Sequence, residues 1–196
     1  MQPFSFDEQI TDWVVDNRHE PLTWVLHMVT VLGDTLTLAL VVIGVAVLAW
    51  IANRIDFAAS IVGAAVSGYL LMWILKVIFS RPRPPVEDRL IDVGGASFPS
   101  GHATLSTIVY LLSAVILYRL YPSVRARALW LLWLPVLLAA IGVSRVYLGV
   151  HWTSDILFGW VFGLIWLTIG LIGHAQLRKR RLAAASARRR AQSSPS

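Results

Sequence analysis

A chain of 196 residues, 57% of them hydrophobic and 14% charged, with a mean hydropathy of +0.66, is unlike a soluble globular domain and reads as a membrane protein. Seventeen Lys and Arg against eleven Asp and Glu give a net charge of +6, yet Arg178 to Arg190 hold seven of the basic residues and no acid, so the excess belongs to the tail. Beside a membrane span such a tail reads as a cytoplasmic anchor on anionic lipid and not as a nucleic-acid site, and the absence of cysteine excludes disulfide and thiolate chemistry.

The N-terminal stretch MQPFSFDEQITDW has no basic n-region, so no cleavable signal peptide is expected. Residues 7 to 20 set Asp7, Glu8, Asp12, Asp16 and Glu20 around Phe6, Ile10, Trp13 and Val14 at helical spacing, which predicts a helix on the membrane surface. Residues 21 to 33 are apolar but fall short of the roughly 20 residues that cross a hydrocarbon core, and read as a partial or interfacial helix. Asp34 or Thr35 then caps an uncharged run from Leu36 to Ala52, the first span. The second runs from Phe57 to Leu75, rich in small residues (Gly63, Ala64, Ala65, Ser67, Gly68) that favour close packing, with Lys76 where it leaves the apolar layer.

A polar loop follows, with Arg81, Arg83, Glu87, Asp88, Arg89 and Asp92. The third span covers Gly101 to Tyr118, the fourth Ala128 to Ser144 with a kink expected at Pro135, and the fifth Thr153 to Gly173. Trp50, Trp73, Trp130 and Trp152 fit interfacial belts. The fold class is all-α, a polytopic transmembrane helical bundle of five spans plus the N-terminal partial helix. It divides into amphipathic and interfacial helices (1–34), a core (35–175), and a basic, disordered cytoplasmic tail (176–196).

Counting Lys and Arg sets the orientation. One side receives Arg54, Arg119, Arg125, Arg127 and the tail; the other receives Arg18, Lys76, Arg81, Arg83, Arg89 and Arg145. The first side is expected to be cytoplasmic. Three polar clusters, KVIFSRPRP from Lys76, PSGH from Pro99 and SRVYLGVHWTSD from Ser144, then meet on the extracytoplasmic side.

Taken singly, each cluster has an ordinary reading: membrane-edge anchoring for Lys76, Arg83 and Arg145, helix capping for Ser100 and Gly101, and a helix-dipole role for Asp155. Taken together they describe a phosphate pocket. Arg offers a planar fork of donors and Lys a mobile charge, and the N-terminus of a helix at Gly101 offers free N–H groups to an anion. His102 is placed to donate a proton to a leaving oxygen. Asp155, four residues after His151, can fix its tautomer and aim the other nitrogen outward as a nucleophile. A metal held by His102, His151 and Asp155 is conceivable but disfavoured, because three cations surround the same site. RPRP contains two Arg-Pro pairs, and spacing alone does not choose between Arg81 and Arg83. Asp34, Glu87, Asp88 and Asp92 read by default as solvated loop acids, with contact to a lipid head group as the alternative, and His19, His27 and His174 lack partner motifs.

K-x6-RP at Lys76, Arg83 and Pro84, PSGH at Pro99 to His102, and SR-x5-H-x3-D at Ser144, Arg145, His151 and Asp155 together resemble the type 2 phosphatidic acid phosphatase family, membrane lipid phosphatases related to soluble acid phosphatases and vanadium haloperoxidases. The resemblance implies that Lys76, Arg83 and Arg145 bind phosphoryl oxygens, with Ser100 and Gly101 adding donors. It implies that His151 attacks phosphorus, Asp155 orients it, and His102 protonates the departing oxygen. No metal or other cofactor is implied. The substrate so suggested is a lipid phosphate or diphosphate, first undecaprenyl diphosphate, then phosphatidylglycerophosphate or phosphatidic acid, in a bacterial inner membrane. The alternatives are transfer of the phosphoryl group to an alcohol, and a non-catalytic lipid-phosphate binding or transport protein.

Overall fold

The computed structural model describes residues 1–193, with side chains as far as Arg180 and at Ala183 and Ala184. Eight helices follow one another: α1 (Ser5–Asp16), α2 (Glu20–Val31), α3 (Thr35–Ile51), α4 (Ile55–Phe79), α5 (Gly101–Leu120), α6 (Pro122–Ala126), α7 (Leu134–Tyr147) and α8 (Thr153–Ser193), with 3-10 turns at Val86–Asp88 and Ala128–Trp133. No strand occurs among the described residues.

The central helix is α5. It packs against α3, α4, α7 and α8 and buries Ile108, Val109, Leu112 and Ile116. Its buried Thr104 and Thr107 are tolerated because each hydroxyl donates to a carbonyl one turn back, Ser100 O at 2.8 Å and Ala103 O at 2.7 Å. Opposite them α8 presents Gly159 and Gly163, one turn apart; a Cβ at Gly163 would lie 2.9 Å from the Thr104 carbonyl oxygen, so only glycine permits this approach. The small-residue run of α4 serves less than expected: Gly68 meets Ile108, whereas Gly63 faces nothing. The outer faces of α3, α4 and α8 are covered by exposed Leu, Ile, Val and Trp, as a lipid-facing surface requires.

Among the described residues four helical segments are each long and apolar enough to cross a membrane: α4, α5, α7 with its 3-10 lead-in, and α8. With 17 residues, α3 reaches that standard only together with α2, from which it is bent by 44°. Both ends of α2 lie at one end of the bundle. His19 N donates to Tyr147 Oη at 3.1 Å, Leu26 packs on Tyr147, Leu148 and Val150, and the following Asp34 reaches His102. The expected kink at Pro135 takes the form of a change from 3-10 to α-helix, with Pro135 in the first turn of α7, where its missing N–H costs nothing.

Other differences are physical. The polar face of α1, Asp7 and Thr11, is buried against α7 and α8, while Phe6, Ile10 and Trp13 point outward, the reverse of a soluble amphipathic helix. Trp152 is buried and donates its Nε1–H to Pro82 O at 2.9 Å, so it is a core residue and not an interfacial belt. The segment expected to be disordered continues α8 as far as Ser193, because its Ala, Leu and Arg are strong helix formers; residues 194–196 of that expectation lie outside the described part.

Candidate active site

Lys76 stands on the last turn of α4, which ends at Ser80 in the left-handed conformation, φ 39°. The two Arg-Pro pairs that follow cannot continue a helix, so the chain runs extended and its arginines point different ways. Arg83 Nη1 donates to Val150 O at 2.6 Å and to His151 Nε2 at 3.3 Å. Its Nε and Nη2 hold Gly95 O and Gly94 O, each at 3.0 Å. Lys76 Nζ donates to Ala96 O at 2.5 Å. Residues 94–97 are thus drawn over the end of the bundle by both cations. Arg81 takes the opposite direction, fully buried between Asp7 and Asp155.

Arg145 lies on the last turn of α7, buried, with Nη1 on Thr30 Oγ1 at 2.8 Å and no protein partner for Nε. After α7 the chain reverses at Gly149, φ 71°, where a Cβ would meet Asp88 O at 2.2 Å. That reversal lets the amides of Val150 and His151 both donate to Arg145 O, at 3.2 and 3.3 Å, which fixes His151 beside the Arg145 backbone.

A guanidinium only donates, so the Arg83 contact makes His151 Nε2 the acceptor nitrogen and puts the ring proton on Nδ1. On the Nδ1 side stand Ser97 Oγ at 3.3 Å and Asp155 Oδ2 at 3.5 Å. The closer partner is Ser97, whose hydroxyl itself donates to Asp155 Oδ2 at 2.5 Å. The same carboxylate oxygen accepts from Trp152 N at 2.9 Å, so Asp155 closes the first turn of α8 as it faces the histidine. Burial pushes His151 down to about 3; Arg83 and Lys76 act in the same sense and the Asp155 contacts oppose, so the resting ring is neutral. Burial also lowers the Arg83 pKa, with Arg89 adding to the effect and Asp155 opposing it.

His102, in the first turn of α5, pairs through Nε2 with Asp34 Oδ1 at 2.9 Å. A carboxylate accepts, so Nε2 carries a proton and Nδ1 is the nitrogen left for exchange. Arg145 and Arg83 both act electrostatically on His102, as Arg83 and Lys76 do on His151. Lys76, Arg83, Arg145, His102, His151 and Asp155 therefore gather at one end of the bundle. Ser100 is placed differently from a ligand: its Oγ accepts from Ala103 N at 3.4 Å, its amide donates to Asp155 O at 3.2 Å, and it is fully buried as the cap of α5. Gly101 is the first residue of α5, partly exposed. Among the described residues no three His, Asp or Glu side chains are arranged to hold a metal ion. A cavity of about 850 Å³ opens at the other end beside Asp56 and His174 and contains none of the site residues.

Ser97 and Asp7 had no place in the site read from the sequence, Arg81 stood there only as the alternative to Arg83, and Asp34 only as a helix cap or loop acid. Asp34 and Asp7 carried the signal of a carboxylate beside an apolar run, but nothing in the spacing named their partners, 68 and 147 residues away.

This arrangement lies almost wholly within residues 57–179, which match the profile of the PAP2 superfamily. The chain belongs to the PAP2 superfamily. Phosphatidylglycerophosphatase B of Bacillus subtilis is 36% identical over 98 residues, 49% of this chain and 47% of that protein. An undecaprenyl-diphosphatase of Sulfolobus acidocaldarius is 33% identical over 111 residues, 56% of this chain and 47% of that protein. The matched stretch thus spans about half the length of these curated relatives. The likeness in fold is broader. The crystal structure of a transmembrane PAP2-type phosphatidylglycerolphosphate phosphatase from Bacillus subtilis superposes with a TM-score of 0.81 at 27% identity, covering 88% of this chain and 86% of that one. The PAP2 match begins within α4, so α1, α2 and α3 lie outside it.

Proposed function

We propose that this PAP2 chain is an integral-membrane lipid phosphatase working through a phosphohistidine on His151. The observation that carries the reading is the setting of His151: a neutral imidazole whose Nε2 lone pair faces Arg83 and whose Nδ1–H faces Ser97 and Asp155. In the first step Nε2 bonds to phosphorus as the bond to the leaving oxygen breaks, and His102 gives that oxygen a proton. The positive charge formed on the His151 ring is met by Asp155, and the charge on the phosphoryl oxygens by Lys76, Arg83 and Arg145. Water then attacks phosphorus and passes a proton to Nδ1 of His102, which restores the acid, as the P–N bond breaks and releases phosphate and a free His151. Asp34 keeps His102 in the orientation that exposes Nδ1, as Asp155 keeps His151 in the one that exposes Nε2. The Gly101 amide adds a donor at the N-terminus of α5, with Ser100 acting behind it as the cap. The chain's own cations supply the positive charge, so the reading calls for no cofactor.

The substrate is a lipid phosphate or diphosphate whose tail stays in the bilayer while its head group reaches the cationic end. Phosphatidylglycerophosphate takes first place on the breadth of the fold likeness, and undecaprenyl diphosphate second. The test is phosphate release by detergent-purified protein, with EDTA present, from these two lipids and phosphatidic acid in parallel, with His151→Ala alongside. Release that disappears in the variant is expected, and the fastest lipid names the substrate. No release from any of the three, with His151→Ala binding them as wild type does, would replace this reading with lipid-phosphate binding or transport.

A further inference from the structure

The buried side of α1 delivers Asp7, with no exposed surface, to the base of the site. Asp7 Oδ1 accepts from Ser154 N at 2.8 Å, so a carboxylate from the far end of the chain caps the N-terminus of α8. Asp7 Oδ2 accepts from Ser154 Oγ at 2.7 Å and from Arg81 Nη2 at 2.8 Å. Through Nη1, Arg81 donates to Ser154 Oγ at 2.7 Å and to Asp155 Oδ1 at 2.5 Å. The side chains of Asp7, Arg81 and Asp155 are all fully buried. Two carboxylates thus share one guanidinium away from water, and one of them is the acid that faces His151.

This sharing has a chemical consequence. A buried arginine paired with Asp155 alone would neutralise that carboxylate and weaken its hold on the cationic ring formed when His151 attacks phosphorus. With Asp7 engaging Nη2, Arg81 is neutralised from the other side, and Asp155 keeps negative charge for His151. The same contacts fix the first turn of α8, from which Asp155 projects.

We propose that Asp7 and Arg81 are positioning residues of the phosphoryl-transfer site, so that α1, outside the PAP2 match, completes it. This rests on the reading of His151 and Asp155 given above. The test compares kcat and KM for phosphate release from phosphatidylglycerophosphate by the full-length wild type, Asp7→Asn, Arg18→Met and His151→Ala. Arg18 anchors the C-terminal end of the same helical segment by two bonds to Tyr147 O, at 3.0 and 2.7 Å, without touching Asp155.

Asp7→Asn is expected to lower kcat at least about tenfold with KM held within about twofold, since Asp7 touches none of the phosphate-binding cations. Arg18→Met is expected to leave kcat within about twofold. An unchanged kcat in Asp7→Asn, or an equal loss in the two variants, overturns the proposal. Should Asp7→Asn fail to fold, Arg81→Lys carries the test, because it keeps the charge and removes the planar fork whose two Nη atoms reach Asp7 and Asp155. A several-fold fall in kcat at unchanged KM supports the proposal, and an unaltered kcat overturns it. Activity surviving in His151→Ala would instead remove the catalytic reading beneath it, an outcome distinct from any result with Asp7.

Discussion

Two acid–histidine pairs organise the residues of the site, and they expose opposite nitrogens. Asp155 and Ser97 hold His151 by Nδ1 and leave Nε2, whereas Asp34 holds His102 by Nε2 and leaves Nδ1. The division suits a nucleophile and an acid working on the same phosphorus, one from the turn before α8 and the other from the first turn of α5. Replacement of Asp34 by Asn keeps the size of the side chain but removes the charge that favours a protonated His102. Its expected cost is about a hundredfold in kcat with KM little changed. Steady-state kinetics of Asp34→Asn check this; a kcat within about twofold of wild type would show that His102 needs no such partner. His151 with Asp155 could be paired from the sequence because their spacing is local, whereas the choice of Arg83 over Arg81 came only from the family resemblance. Asp34 could not be paired, because a loop acid after Gly33 looks like a helix cap until α5 is seen beside it. Here Asp34 makes no side-chain capping bond at all. Gly33 belongs to the same contact: a Cβ there would lie 2.6 Å from His102 Cδ2, so the close approach of this loop to the ring depends on glycine.

At the scale of elements, hydropathy found the spans and missed the roles of the shorter helices. Helices α4, α5 and α8 were readable as apolar runs of the necessary length. α1 was readable as a helix but not for its orientation, since the same alternation of Asp and Phe fits a helix resting on a surface or one turned inside out against a membrane protein. Burial of Asp7 and Thr11 under α7 and α8 decides for the second. α2, with 12 residues, is too short to cross alone; its start is held by Tyr147 and the hydroxyl of its own Thr30 receives Arg145. In the tail, composition predicted disorder while Ala and Arg propensity favoured helix, and the helix prevailed as far as Ser193.

For the whole molecule, the alternation of spans brings Lys76, PSGH and His151 to one end and leaves Arg54, Arg119 and the basic tail at the other, as the order of the spans in the sequence anticipated; the Lys and Arg count adds a direction. We propose on that count that the site faces away from the cytoplasm and that the tail rests on anionic lipid. The chain has no cysteine, so one introduced at exposed Asp92 reports the side cleanly. An impermeant maleimide is expected to label it in intact spheroplasts, and labelling only after lysis would reverse the orientation. The covalent step at His151 is tested by an alkaline rapid quench of the enzyme with lipid labelled in its terminal phosphate. An acid-labile, base-stable phosphoryl group is expected that maps to the peptide carrying His151 and disappears in His151→Ala. Rapid turnover with no label on His151, in wild type and in variants slowed at His102, would contradict that step.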